Sequence, residues 1–226
     1  MRVYVPATVD ALRGAFDAGV VRAVDGTAFA VTPALRREYI DADEDELEYL
    51  AMRDAAVASL RLIAGAGAAV LPLRVVVAAD IEGEVAAGPG RDAARADVWG
   101  SGPDQADAAD ADPPTADVVD AGHGSIGSAS AAISSAGAGA VERPDLDRAA
   151  VRLKGPIPWK RVAAVHVDGA DASSAVLDAV AVVDAADLGD VEAEFALGTV
   201  EDIDLCWYDP GEVVFLVNEL GPDPGR

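Results

Sequence analysis

Apolar and polar positions along this chain follow two regimes. From 1 to 81 and from 145 to 218 the large apolar residues are dense and periodic. From 82 to 144 they thin out, and Ala, Gly, Asp, Ser and Pro fill the segment. In the first regime Arg2–Val5 reads as a short strand stopped by Pro6. Thr8 is placed to cap the helix that follows, since an N-cap hydroxyl accepts from a backbone N–H of the first turn. Val9, Leu12 and Phe16 then fall on one helical face, and Gly19 ends the helix. Phe29–Val31 reads as a second strand. Thr32-Pro33 reads as an N-cap followed by proline at the first helical position, where its missing N–H costs nothing. The acidic run Asp41–Glu48 opens a long helix whose apolar surface comes from Leu47, Leu50, Met52, Val57, Leu60 and Ile63, with Gly65 and Gly67 at its end.

Arg74–Ala79 is apolar after its first residue, as in a central strand buried on both faces. Beyond 144, Val151–Leu153 and Val162–Val167 read as strands, with Gly155–Pro158 a turn or edge segment between them. Asp171 or Ser173 is expected to cap a helix carrying Val176, Val180 and Val183 that Gly189 closes, and Val191–Leu197 predicts a further short helix. Leu205–Tyr208 reads as a strand. The turn signal Asp209-Pro210-Gly211-Glu212 then returns Val213–Val217 as a hairpin, with a final helix the competing reading. Residues 219–226 read as a flexible tail. These elements predict one discontinuous domain, 1–81 with 145–218, of α+β or α/β class: a single mixed β-sheet with packed helices.

The segment 82–144 holds only Val85, Val98, Trp99, Val118, Val119, Ile126, Ile133 and Val141 as large apolar residues. That is too little burial to offset the entropy of ordering it, so it predicts a low-complexity, disordered insertion. Closing so long a loop in place of a short one costs only about 2 kcal/mol more. The residues left are enough for an independent core.

Charge narrows the partners. Seventeen basic residues face forty acidic ones, a net charge of −23. Such a chain is repelled by phosphate backbones and by anionic lipid, so neither nucleic acid nor a membrane surface is an expected partner. Cys206 is the sole cysteine, which rules out an intrachain disulfide and a cysteine-based zinc site. No signal-peptide pattern and no stretch of membrane-spanning length is seen, so the expected location is cytoplasmic. Lysine occurs only at Lys154 and Lys160, against fifteen arginines. With abundant Ala, Asp, Gly and Val, that favours a high-GC genome over salt adaptation.

Several strings together carry a resemblance: RVYVPAT at 2–8, FAVTPALRREY at 29–39, DEDELEYLA at 43–51, RVVVAAD at 74–80, VAAVHVD at 162–168 and LCWY at 205–208. In strand–helix order and in the acidic helix start the chain resembles a small domain-of-unknown-function family of high-GC actinobacteria. The resemblance implies an actinobacterial cytoplasmic protein. It carries over no activity and no site residues.

The motif-like strings are weak. Gly122-His123-Gly124-Ser125-Ile126-Gly127 matches G-x-G-x-x-G, but lacks the strand before and the helix after that a dinucleotide fingerprint requires. Around Ser125 it also fails as a nucleophile elbow, because His123 stands where glycine is needed. Asp41, Asp43 and Asp45 open like a calcium loop, but Glu46 and Met52 stand where that loop needs Gly and Glu. They read instead as helix-start acids complementing the dipole, with Asp43 and Glu46 a capping pair. No cofactor and no metal is expected. His166 and Asp168, two apart on a strand, share one face and make a candidate general-base pair, against the plainer reading of a locally bonded histidine. Trp207 and Tyr208 beside Cys206 read as core and rim aromatics.

One constellation depends on strand direction. With the strands at 2–5, 29–31 and 74–79 parallel, Thr8, Thr32 and Asp80 all follow carboxyl ends, and Arg36 lies one turn along its helix. Ligands favour that edge of open α/β sheets, and helix N-termini suit anions. The candidate ligand-binding residues are therefore Thr8, Thr32, Arg36, Asp80 and His166. Two functions follow. The favoured one is a non-catalytic binding or adaptor protein with a protein partner. The alternative is a small enzyme or metabolite-binding domain using the crevice near Thr8 and Asp80. Self-association is a third.

Overall fold

A computed structural model describes residues 1–67, 70–82, 148–221 and the backbone of 86–87. The fold is α+β, as the sequence predicts. The strands are β1 (Arg2–Ala7), β2 (Val20–Val21), β3 (Thr27–Phe29), β4 (Val75–Asp80), β5 (Ala86–Ala87), β6 (Ala150–Arg152), β7 (Ile157–Pro158), β8 (Val162–Val167) and β9 (Cys206–Tyr208). The helices are α1 (Val9–Ala18), α2 (Pro33–Glu38), α3 (Glu44–Ala66), α4 (Ser173–Asp187), α5 (Val191–Glu201) and α6 (Val213–Glu219). A seven-stranded sheet runs in the order β5-β6-β3-β1-β4-β8-β9, and β2 pairs with β7 as a separate ribbon.

All of these pairings are antiparallel, so the sheet is not mixed. The parallel arrangement considered for the strands at 2–5, 29–31 and 74–79 does not occur. The reason lies in the connections. After α1 returns from the end of β1, the segment through β2 carries the chain back once more, and β3 therefore starts at the end where β1 finished. Helix α3 then runs the length of the sheet, from Glu48 beside Tyr4 to Ser59 beside Ala7, and delivers β4 antiparallel to β1.

The unbroken apolar runs of β1 and β4 serve two cores. Val3, Val5, Val75 and Val77 meet Val9 and Leu12 of α1 and Val213 and Leu216 of α6 on one face. On the other face, Tyr4, Val76, Ala78 and Ala164 meet Leu47, Ala51 and Ala55 of α3. A third core joins Val57, Leu60 and Ile63 of α3 to Val176 and Val183 of α4 and Leu197 and Val200 of α5.

The caps follow the sequence reading at three helices. Thr8 accepts from the Ala11 N–H at 3.2 Å and Thr32 from that of Leu35 at 3.1 Å. Asp43 and Glu46 form a reciprocal capping box. Four readings need correction. Pro6 does not stop β1, whose register with β4 continues to Ala7 opposite Val75. Helix α3 passes through Gly65 and ends at Gly67, which takes the positive φ of 72°. Helix α4 starts after Ala172 without a side-chain cap, so neither Asp171 nor Ser173 caps it. Residues 213–219 are helical rather than a hairpin strand, because Val213, Leu216 and Val217, at helical spacing, are the ones buried. Glu82 and Ala86–Ala87 of the expected insertion are described, the latter paired with β6; the rest of 82–144 and the tail from 222 lie outside the described residues. Among the described residues no helix is long and apolar enough to cross a membrane.

Ser59 ties α3 to both central strands. Fully buried, its hydroxyl donates to the Ala7 carbonyl at 2.7 Å and accepts from the Val75 N–H at 3.0 Å. Ser59→Ala strands two buried backbone groups and is expected to cost about 1–3 kcal/mol. Urea unfolding followed by circular dichroism measures it, and a wild-type midpoint would refute the role.

Candidate functional site

The antiparallel register separates the residues that the sequence suggested as one crevice. Thr8 follows Ala7, which lies opposite Val75, whereas Asp80 lies opposite Arg2 at the other end of the strands. Each is already engaged. The Asp80 carboxylate accepts from Arg2 Nε and Nη2, both at 3.2 Å. Thr32 stands at the Asp80 end, where it caps α2 and donates its hydroxyl proton to the Arg148 carbonyl. Arg36 pairs with Glu44 at 2.6 Å on the surface. His166 is half-buried on β8, opposite Val76 on one side and Trp207 on the other. Alternation puts it on the α3 face of the sheet together with Tyr4 and Asp80. Burial, with the charge of Arg2 behind it, lowers its pKa below the ordinary histidine value.

Asp168 does not serve His166. Its carboxylate accepts from Arg74 Nε at 2.9 Å, from Nη2 at 2.7 Å and from the Arg74 backbone N–H at 2.7 Å. Arg74 Nη2 also donates to the Ile203 carbonyl at 2.8 Å. Both side chains are withdrawn from solvent, at 1% and 0% exposure. The pair therefore joins the start of β4, the end of β8 and the turn before β9, and has no free proton acceptor to offer. Two further pairs continue this polar seam along α3. Arg53 meets Glu201 at 3.0 Å, and Asp54 faces Arg148 at 3.5 Å. Asp54 is 7% exposed, and burial pushes its pKa up to about 7 against the pull of Arg148. The guanidinium of Arg148 also lies 5.2 Å over the Tyr39 ring and bonds Glu38 at 2.6 Å. The pocket beside Arg74 and Arg53 measures about 20 Å³, room for roughly one water.

The seam was not legible as a unit. Its one sequence signal is charge at the ends of otherwise apolar runs, Arg74 opening one and Asp168 closing another.

A larger opening lies where α2 turns into α3. Helix α2 ends at Glu38, and Tyr39–Ala42 crosses to the Asp43 cap, whose box with Glu46 pins the turn. The cleft is open and measures about 860 Å³. Tyr39, Ile40, Tyr49 and Leu50 supply its apolar lining, and Glu38, Asp41, Asp43, Asp45 and Glu46 its acidic walls. Ile40 is 83% exposed. Asp43 and Glu46 serve the cap and Glu38 serves Arg148, while Asp41 and Asp45 make no ion pair among the described residues. Among the described residues no cation lines the cleft. In the sequence the acids at 41–48 read as a failed calcium loop and a helix start; the signal for the cleft is an aromatic and an aliphatic residue, Tyr39 and Ile40, placed directly before them.

Among the described residues no group of three or more His, Cys, Asp or Glu is placed to hold a metal ion. The Gly122–Gly127 string lies outside the described residues. A family model described as a family of unknown function (DUF6912) matches residues 1–132 and 129–217, and the chain belongs to that family. No curated protein and no solved structure matches it.

Proposed function

We propose that this DUF6912 protein is a non-catalytic binding protein that takes a basic segment of a partner protein into the α2–α3 cleft. The exposure of Ile40 on an open cleft walled by carboxylates carries the reading. An exposed branched aliphatic gains nothing in water, and covering it by an apolar side chain of a partner recovers its transfer free energy. Carboxylates beside apolar surface act through a lower local dielectric than in bulk water, so arginine or lysine flanking that anchor is the matching chemistry. The ring of Tyr49 adds a face on which a guanidinium stacks, as Arg148 already does on Tyr39. The net charge of −23 steers a basic partner inward and turns nucleic acid and anionic lipid away. The polar groups of the sheet face support a non-catalytic role, because Asp168, Asp80 and Thr32 are spent on architecture. We place the protein in the cytoplasm of a high-GC actinobacterium, on its lysine-poor composition and its family resemblance.

Fluorescence anisotropy with a labelled peptide of alternating arginine and leucine tests the reading. Ile40→Ser leaves the charge unchanged and is expected to weaken binding roughly thirtyfold, the loss of one central anchor. Asp41→Asn with Asp45→Asn is expected to slow association and flatten the salt dependence. Binding by the Ile40→Ser protein equal to wild type would mean attraction to acidic surface in general, and the cleft would be abandoned.

A further inference from the structure

On the α1 side of the sheet a second cleft, of about 510 Å³, carries the opposite charge. Lys154, Lys160 and Arg161 line it together with Ile81, Leu153 and Ile157. The chain has only two lysines, and both are here. Acidic residues outnumber basic ones by forty to seventeen, so carboxylate partners are plentiful. Even so, neither lysine makes an ion pair or hydrogen bond among the described residues. Arg161 bonds Glu82 at 2.7 Å, but the Glu82 side chain is 82% exposed, and such a surface pair is worth little.

The frame holding these cations is fixed. The Leu153 N–H donates to the Gly26 carbonyl at 2.8 Å, which sets where Lys154 leaves β6. Gly26 itself has φ +69°, and a Cβ there would stand 3.1 Å from the Leu153 carbonyl oxygen, so only glycine suits this crossing. Lys160 and Arg161 share one helical turn, anchored by the Trp159 N–H on the Gly19 carbonyl at 2.8 Å. The Trp159 ring meets Phe16 edge-on at 5.4 Å. Three like charges are thus held around an apolar floor, and among the described residues Glu82 is the one carboxylate lining it, with Asp80 acting on Arg161 from nearby.

We propose that this cleft binds a small organic anion, a phosphate or carboxylate head on an apolar body. The ammonium groups and the guanidinium supply charge-assisted donors for the head. Ile81, Leu153 and Ile157 supply the apolar contact. The size of the ligand follows from screening. Beyond about 8 Å at physiological salt a charge no longer feels its neighbours strongly, so a small anion senses the local cations. An extended polyanion also lies over the acidic remainder of the surface and is repelled. This site is independent of the α2–α3 cleft and does not rest on the reading given for it.

Isothermal titration of the full chain with phenyl phosphate, benzoate and inorganic phosphate tests it. Phenyl phosphate or benzoate is expected to bind more tightly than inorganic phosphate. The Lys154→Gln/Lys160→Gln double variant is expected to weaken that binding by at least about tenfold. Both side chains are exposed, so the variant keeps its fold, and a thermal melt verifies this. Arg37→Gln, exposed on α2 and outside the cleft, is expected to bind as wild type. Absence of heat with both organic anions overturns the proposal, as does equal affinity in the double variant. Inorganic phosphate binding as tightly as phenyl phosphate overturns the role of the apolar floor.

Discussion

Replacing Arg74 by Met is expected to cost about 3–5 kcal/mol, the range for removing one partner of a buried ion pair. The substitution leaves the Asp168 carboxylate sealed from water with the backbone N–H of residue 74 as its remaining described donor, and it strands the Ile203 carbonyl. A domain of this size is stabilised by only about 5–15 kcal/mol in total, so the variant is expected to unfold at a much lower urea concentration. Changing both residues, Arg74→Met with Asp168→Leu, removes the orphaned charge as well as the pair. Most of the loss is then expected to return, because a buried ion pair gains little over apolar residues of similar volume. The double-mutant cycle gives a coupling well beyond what distant sites show. Additive losses from the two single variants would contradict the pairing.

The second large effect is a pH dependence assigned to Asp54. In the folded protein its pKa is raised to about 7, chiefly by burial and despite Arg148. Between the ordinary carboxyl value and about 7 the folded state therefore holds a proton that the unfolded chain has released. Stability then falls with rising pH across that window. The contribution is fully present below about pH 4 and lost as pH rises through about 7. Asp54→Asn cannot titrate. Relative to that variant, wild type is expected to lose roughly 2–4 kcal/mol between pH 4 and 8. The other carboxylates titrate alike in both proteins, so the difference between their urea profiles isolates Asp54. A flat difference would mean that the carboxylate is hydrated or fully neutralised by Arg148.

Legibility in the sequence followed the range of the interaction. Thr8, Thr32 and Asp43 were legible as caps because a cap is decided within four residues. The unbroken run at 75–79 announced a central strand, because burial on both faces suppresses alternation. Strand direction was not legible, since it depends on how many times the chain crosses between β1 and β3. The hydrogen bonds of Arg74 with Asp168 join residues 94 positions apart, which no local pattern encodes. At 213–217 two periods coincide: Val213, Phe215 and Val217 alternate as in a strand, while Val213, Leu216 and Val217 follow a helix. Packing chose the second and left Phe215 exposed. The α2–α3 cleft is not legible in the sequence because Ile40 and the acids are each explicable alone, and only the fold puts them around one opening.

The most direct measurement is an amide NMR titration of the full chain with the arginine–leucine peptide. Saturable shift changes centred on residues 38–50, and absent in the Ile40→Ser protein, are the expected result. Changes that spread over the acidic surface without saturating, or that centre elsewhere, would contradict a basic-segment site between α2 and α3.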